Sequence, residues 1–222
     1  MKKFLALTVM MSCVLLAGNV MAYTAAKDVL PGHSGFEWID SPYWTLTDFT
    51  TGETGSTYNV LFGESAAYES DFGIFAQNDT TNLFQIFALN EEPYVSKSVY
   101  FKNDGGAWQV SLDASSGWQD FDASFGFYFK VYDDNQYQYT FYTDASLNTA
   151  DAGIQHIGME WNGTDNAYFY LEDKLTGASD WDWNDMQVNV HDVAPIPEPG
   201  TVLLLGVGLL GLLGLGRKRI KK

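Results

Sequence analysis

Apolar and polar positions alternate in short runs through most of the chain. The clearest run sets Phe125, Phe127, Phe129 and Val131 on one parity; after Asp133-Asp134-Asn135, Tyr137, Tyr139 and Phe141 again share a parity. A period of two sends alternate side chains to opposite faces of an extended strand, so this stretch predicts a hairpin with an aromatic face. The same pattern predicts strands at 58–62, 72–76, 83–89, 98–102, 108–112, 157–161 and 167–171. Asp104-Gly105-Gly106 and Asn162-Gly163 are natural turns between neighbours. No solenoid period and no long amphipathic helix interrupts the series. Many short strands joined by such turns predict an all-β fold, a single antiparallel β-sandwich or jelly roll spanning residues 23–194.

Both ends depart from this pattern. Residues 1–22 carry two lysines, an apolar stretch from Phe4 to Ala17 and then Val20-Met21-Ala22, the layout of a secretory signal peptide with cleavage after Ala22. The stretch is too short for a retained span and ends in a cleavage-like triplet. Cys13 lies in mid-stretch behind Met10-Met11-Ser12, a weak match to a lipidation box. It is the only cysteine, so the exported protein has no disulfide and draws its stability from its core or from bound ions.

At the other end, Pro197-Glu198-Pro199-Gly200 precedes an apolar, Gly-rich run (201–216) and a basic tail (217–222). Some 15 apolar residues make a helix of about 23 Å, slightly short for a bilayer core of about 30 Å unless the bilayer thins and Arg217 snorkels. The basic cluster stays cytoplasmic by the positive-inside rule, which leaves the body outside and tethered by its tail. The order of these three parts resembles the PEP-CTERM sorting signal of Gram-negative bacteria. That resemblance covers about 26 residues and implies handling by an exosortase, a membrane cysteine transpeptidase that cuts near the motif, often in species that make exopolysaccharide. A permanent single-span anchor is the plainer alternative.

Charge sharpens the picture of the body. Five lysines and all 28 acids lie between Tyr23 and Pro199, an excess of 23 negative charges. Nucleic acid is thereby a poor partner, since phosphate binding needs Lys and Arg to displace counterions. A surface this acidic repels itself unless cations neutralise part of it. It suits either an ionic environment or specific sites for divalent cations.

Spacing nominates one such site. Glu172-Asp173 is followed, after a Gly-containing turn, by Asp180-Trp181-Asp182-Trp183-Asn184-Asp185. Trp181 and Trp183 share one parity while Met186, Val188 and Val190 take the other, so the frame changes near Asn184-Asp185. A bulge or loop there, followed by a last strand at 186–191, accounts for the change. Asp180, Asp182 and Asn184 can then aim oxygens at one centre that Asp185, Glu172 and Asp173 close. Ca²⁺ takes six to eight oxygens from such a set. The segment is no EF-hand, for Asp185 stands where the turn glycine belongs, no Glu occupies the twelfth position and no helices flank it. An Asx turn, with the acids bonded to local backbone N–H groups and the tryptophans in the core, is the alternative. Residues from roughly Phe121 to Val190 also resemble the closing part of the uncharacterised domain-of-unknown-function family numbered 4114. There an E-D-L stretch, a Gly-containing turn and D-x-D-Y-N-D precede an apolar strand; Lys174 and Trp183 are departures. That resemblance implies a surface protein, often calcium-dependent, and no activity.

Signals for catalysis are weak. His33, His156 and His191 are scattered without zinc-motif spacing, and no nucleophile elbow, phosphate-binding glycine loop or catalytic cysteine is present. Glu160, beside Trp161, is the least arbitrary glycosidase candidate; its plainer reading is an outward-facing strand residue. The expectation is an exported, non-enzymatic protein of the cell surface or extracellular matrix, Ca²⁺-stabilised and linked to exopolysaccharide or biofilm. Its partners in processing are signal peptidase and exosortase, with the membrane engaged through the C-terminal helix until cleavage. A carbohydrate-binding module is the first alternative, because 34 aromatics of the body could include some that stack on sugars; a glycan hydrolase is the second.

Overall fold

The computed structural model describes residues 24–48, 54–64, 69–89 and 91–197. The leader with Ala22, the spanning helix at 201–216, the basic tail at 217–222, and Glu198 and Pro199 of the sorting motif lie outside the described residues. A short helix, α1 (Thr24–Val29), comes first. The strands follow as β1 (Glu37–Trp38), β2 (Trp44–Leu46), β3 (Thr54–Glu64), β4 (Glu69–Ala76), β5 (Leu83–Phe87), β6 (Ser96–Asp104) and β7 (Ala107–Ser111). The second half adds β8 (Gln119–Phe121), β9 (Phe125–Asp133), β10 (Gln136–Tyr142), β11 (Ile157–Trp161), β12 (Asn166–Leu171), β13 (Met186–His191) and β14 (Val193–Pro195). Two single 3-10 turns, at Ala145–Leu147 and Thr149–Asp151, are the remaining helical elements among the described residues.

The strands form two antiparallel sheets. The larger runs β1-β11-β12-β13-β3-β6-β7-β8, and the smaller β14-β2-β9-β4-β5 with β10 also paired to β9. All-β architecture is therefore correct. The hairpin forms as its pattern requires: Asp133 pairs with Gln136, and Asp134 and Asn135 both take positive φ (50° and 62°), the geometry of a two-residue type I′ turn. Its two faces are unequal. Phe125, Phe127, Phe129 and Val131 are wholly buried, whereas a register shift between Tyr137 and Tyr139 carries the tip beyond the core and leaves Tyr137 exposed.

Two strands stop short of the expected ends, each for a local reason. β5 ends at Phe87 because the Leu89 N–H turns to Asp71 Oδ1 (2.6 Å) instead of the ladder. β7 ends at Ser111, whose hydroxyl accepts the Asp113 N–H (3.0 Å) and leaves Leu112 exposed. β1, β2, β8 and β14 have two or three residues each, too few for alternation to mark them.

One core lies between the sheets and is largely aromatic. Phe169 of β12 is its centre, with ring centroids 4.3 Å from Phe127, 5.3 Å from Trp44 and 6.4 Å from Phe72, all three from the opposite sheet. Phe101 of β6 stacks on Phe125 of β9 at 5.3 Å and ties a second point. A smaller cluster covers the outer face of the large sheet, where Ala26 of α1, Tyr170 and Trp183 are buried with Trp38 and Trp181 against them. Gly158 makes this cover possible, since a Cβ there would lie 2.8 Å from Ala26 Cβ.

Candidate metal centre

β12 and β13 are antiparallel neighbours whose last ladder pair is Leu171 with Met186. The chain between them, 172–185, is therefore a loop whose two ends, Glu172-Asp173 and Asp185, emerge side by side. The Asp173 N–H donates to Asp185 Oδ2 at 2.7 Å. The frame change expected near Asn184-Asp185 has a backbone cause: Trp181 and Trp183 both take left-handed φ, 55° and 59°. Such values strain a bulky residue by roughly 1–3 kcal/mol each and persist only where the surroundings hold them. The holding force is aromatic. Trp183 is buried in the outer cluster, Trp181 lies 5.7 Å from it and stacks at 5.4 Å on the ring of His156.

With the tryptophans turned inward, Asp180 and Asn184 are exposed and Asp182 is half-buried. Asp182 bonds locally, accepting the Asn184 N–H at 3.3 Å and its side-chain amide at 2.8 Å, as an Asx turn requires. The other end of the loop differs. Glu172, Asp173 and Asp185 are all buried, and neither carboxylate oxygen of Glu172 completes a hydrogen bond. Carboxylate oxygens of Glu172, Asp173 and Asp185 lie within 4.8 Å of one another, as do those of Glu172, Asp180 and Asp182. Ca²⁺–oxygen bonds of about 2.3–2.6 Å place opposite ligands roughly this far apart.

The electrostatics follow from this crowding. Burial raises the pKa of Glu172; the Ser179 hydroxyl and Lys174 N–H lie near enough to pull the other way but do not reach hydrogen-bond geometry, while Asp185 and Asp180 push it further up. Asp185 is raised too, by burial first, against the opposing Asp173 N–H. Lys174 answers only from the rim, its Nζ 3.8 Å from Asp180 Oδ2. Lys174 acts on Glu172 and Asp185 only through space, and neither Glu172 oxygen has a hydrogen bond, so the arrangement suits an oxygen-seeking cation.

Residues that spacing did not nominate brace the loop. His156 is buried, with Nδ1 3.1 Å from the Glu172 carbonyl and Nε2 2.8 Å from Asp151 Oδ2, and it stacks at 3.8 Å on Phe141. Burial holds its pKa down against the pull of Asp151. Asp151 also receives the N–H and hydroxyl of Thr176, and Tyr139 O–H donates to the Asp173 carbonyl at 2.8 Å. His156 and Tyr139 thus hold the carbonyls of Glu172 and Asp173, and Asp151 holds the N–H and hydroxyl of Thr176. No local spacing announces partners that meet only in the folded sheet.

Glu160 is not an outward-facing strand residue in contact with water. It is fully buried on the covered face of the large sheet, where it accepts from Tyr170 O–H (2.7 Å) and the His33 N–H (3.0 Å), with His33 Nδ1 2.8 Å away. Gly32 above it, at φ 69°, has no room for a Cβ, which would meet Glu160 Oε1 at 2.6 Å. The N-terminal segment supplies this cover, which an isolated strand pattern cannot reveal.

The approach to the sorting motif is ordered. β14 pairs with β2, from Val193 opposite Leu46 to Pro195 opposite Trp44, and the Ile196 N–H donates to the Tyr43 carbonyl at 2.8 Å. Pro197 is the last described residue of this segment. No curated protein and no solved structure matches the chain. Residues 195–219 do match a family profile, the PEP-CTERM protein-sorting motif. The chain is therefore an exported protein with a PEP-CTERM motif, processed by exosortase and directed to the cell surface.

Proposed function

We propose that this is a non-enzymatic surface or extracellular-matrix protein of a Gram-negative bacterium, whose body is a β-sandwich stabilised by Ca²⁺ at the β12–β13 loop. Residues 201–216 hold the precursor in the membrane, with 217–222 on the cytoplasmic side, until exosortase acts near Pro197-Glu198-Pro199. One observation carries the calcium reading: the Glu172 carboxylate is buried without a hydrogen bond among other acids. An unpaired buried charge costs several kcal/mol, and an ion that binds only the folded state removes that cost. The Asx-turn reading accounts for Asp182 and Asn184 but gives Glu172 no partner. The test is thermal unfolding of the exported protein with Ca²⁺ and with a chelator. A native-state ligand at a hundredfold excess over Kd adds about 2.7 kcal/mol. Identical melting in both conditions sinks the reading.

Sugar binding is the second reading, and a groove on the smaller sheet favours it. This open groove of about 630 Å³ is lined by Tyr132, Tyr137 and Tyr142 together with Thr81, Thr140 and Lys130. Aromatic faces beside hydroxyl and ammonium groups suit a polysaccharide such as the cell's own exopolysaccharide. Binding to a polysaccharide array that Tyr137→Ala abolishes would support it, and reducing ends released over time would instead indicate a hydrolase.

A further inference from the structure

We infer that the β12–β13 loop holds two divalent cations that share Glu172, an inference that rests on the calcium reading above. The acids divide into an inner trio, Glu172, Asp173 and Asp185, and an outer trio, Glu172, Asp180 and Asp182. Glu172 belongs to both. Within each trio the oxygens are close enough to ligate one ion of Ca²⁺ size.

Charge balance supports the second ion. Five carboxylates and the single Lys174 ammonium leave four negative charges, and two divalent ions neutralise four. One ion would leave half of that charge around a buried carboxylate, where uncompensated charge is expensive. The Glu172 oxygens support it as well. Both are buried without hydrogen bonds, and a carboxylate that bridges two cations satisfies one oxygen with each. Bidentate binding to one ion would also occupy both oxygens, but it leaves the other trio empty and its charge unopposed.

The two positions differ in access. All three inner acids are buried, whereas the Asp180 side chain is 60% exposed, so water completes the outer ion's shell more freely. The inner ion is accordingly the tighter one.

Equilibrium dialysis of the chelator-stripped exported protein against radioactive calcium counts the ions. Two per chain is the expected result. One per chain overturns the second ion while leaving the calcium reading standing, and none overturns both. Asp182→Asn, which keeps size at a half-buried position, should weaken the outer ion at least tenfold and leave one tight ion. Asp180→Asn, at the exposed rim, should do the same and guards against misfolding of the first variant, which circular dichroism checks. Any other count in a folded variant overturns the assignment of ions to trios.

Discussion

The backbone N–H of Asp173 donates to Asp185 Oδ2 at 2.7 Å and so joins the two ends of one loop, twelve residues apart. That bond satisfies one oxygen of Asp185 and fixes the loop mouth. It gives nothing to Glu172, which stands beside it buried and without a hydrogen bond. Glu172→Gln removes the charge and keeps the shape. In chelator it should raise the melting temperature, since an unsatisfied buried charge costs at least about 1–3 kcal/mol and each kcal/mol moves a domain of this size by about 2–4 °C. With Ca²⁺ present the same variant should gain nothing. Differential scanning calorimetry of parent and variant, each with and without Ca²⁺, decides the matter, and a variant that still responds to Ca²⁺ as the parent does removes Glu172 from the site.

Gly126 marks a second close approach. A Cβ there would lie 2.2 Å from the end of the Phe75 ring and 2.8 Å from the Pro42 carbonyl oxygen. Gly126→Ala should destabilise the body by about 1–3 kcal/mol or more, as overpacking does. Phe75→Leu removes the far end of the ring at a cost of its own, yet combined with Gly126→Ala it should cost less than the two single changes together. Denaturant unfolding of the four proteins in a double-mutant cycle measures the coupling, and simple additivity would show that the ring is not what excludes the methyl group.

Alkaline unfolding should involve two half-buried phenols, Tyr43 and Tyr132. Burial, aided by the hydrogen bond to Asp144, pushes Tyr43 up to about 12, and burial with Asp71 does the same for Tyr132. In the unfolded chain both titrate near 10. The folded state therefore keeps two protons that the unfolded state has lost. Their contribution to stability is full below pH 10 and declines as pH rises from 10 through about 12. Ultraviolet titration of tyrosinate should show a late fraction that Tyr43→Phe and Tyr132→Phe each reduce; ordinary titration of all tyrosines would contradict the burial argument.

Sorting predicts a defined covalent change. The exported form should lack the segment from about Thr201 onward, and replacing Pro197-Glu198-Pro199 should leave precursor in the membrane. Mass spectrometry of surface-released protein reads the C-terminus directly. Intact Lys222 there would mean a permanent anchor.

How far the pattern of residues reveals the fold depends on scale. The hairpin of β9 and β10, with its turn at Asp134-Asn135, is legible because nine and seven residues of alternation frame a two-residue turn. The strand after the acidic loop is legible to the residue, Met186–His191, because the parity break after Trp183 is a local event; it is not the last strand as expected, since β14 follows it. The acids of the loop are legible as a group for the same reason. Their division into a buried end and an exposed rim is not, since it depends on where Leu171 and Met186 pair and on the two tryptophans turning inward. His156, Asp151 and Tyr139 are beyond local reading because they come from other turns and strands. Glu160 shows the limit most clearly: its strand pattern is right, but the segment around His33 that covers it is more than a hundred residues away.

The pairing of β14 with β2 also has a mechanical meaning. If the chain is held through its C-terminal end, as the proposed precursor is, any pull reaches the body at Pro197. β14 is an edge strand held by three ladder pairs, whereas β13, the next strand inward along the chain, lies between β12 and β3 in the larger sheet. Tension should therefore peel residues 193–197 away first and release about 17 Å of slack at roughly 3.4 Å per residue. Only then would the load reach β13 and the acidic loop beside it. The short last strand is thus a fuse, and the core behind it stays whole while the tether stretches.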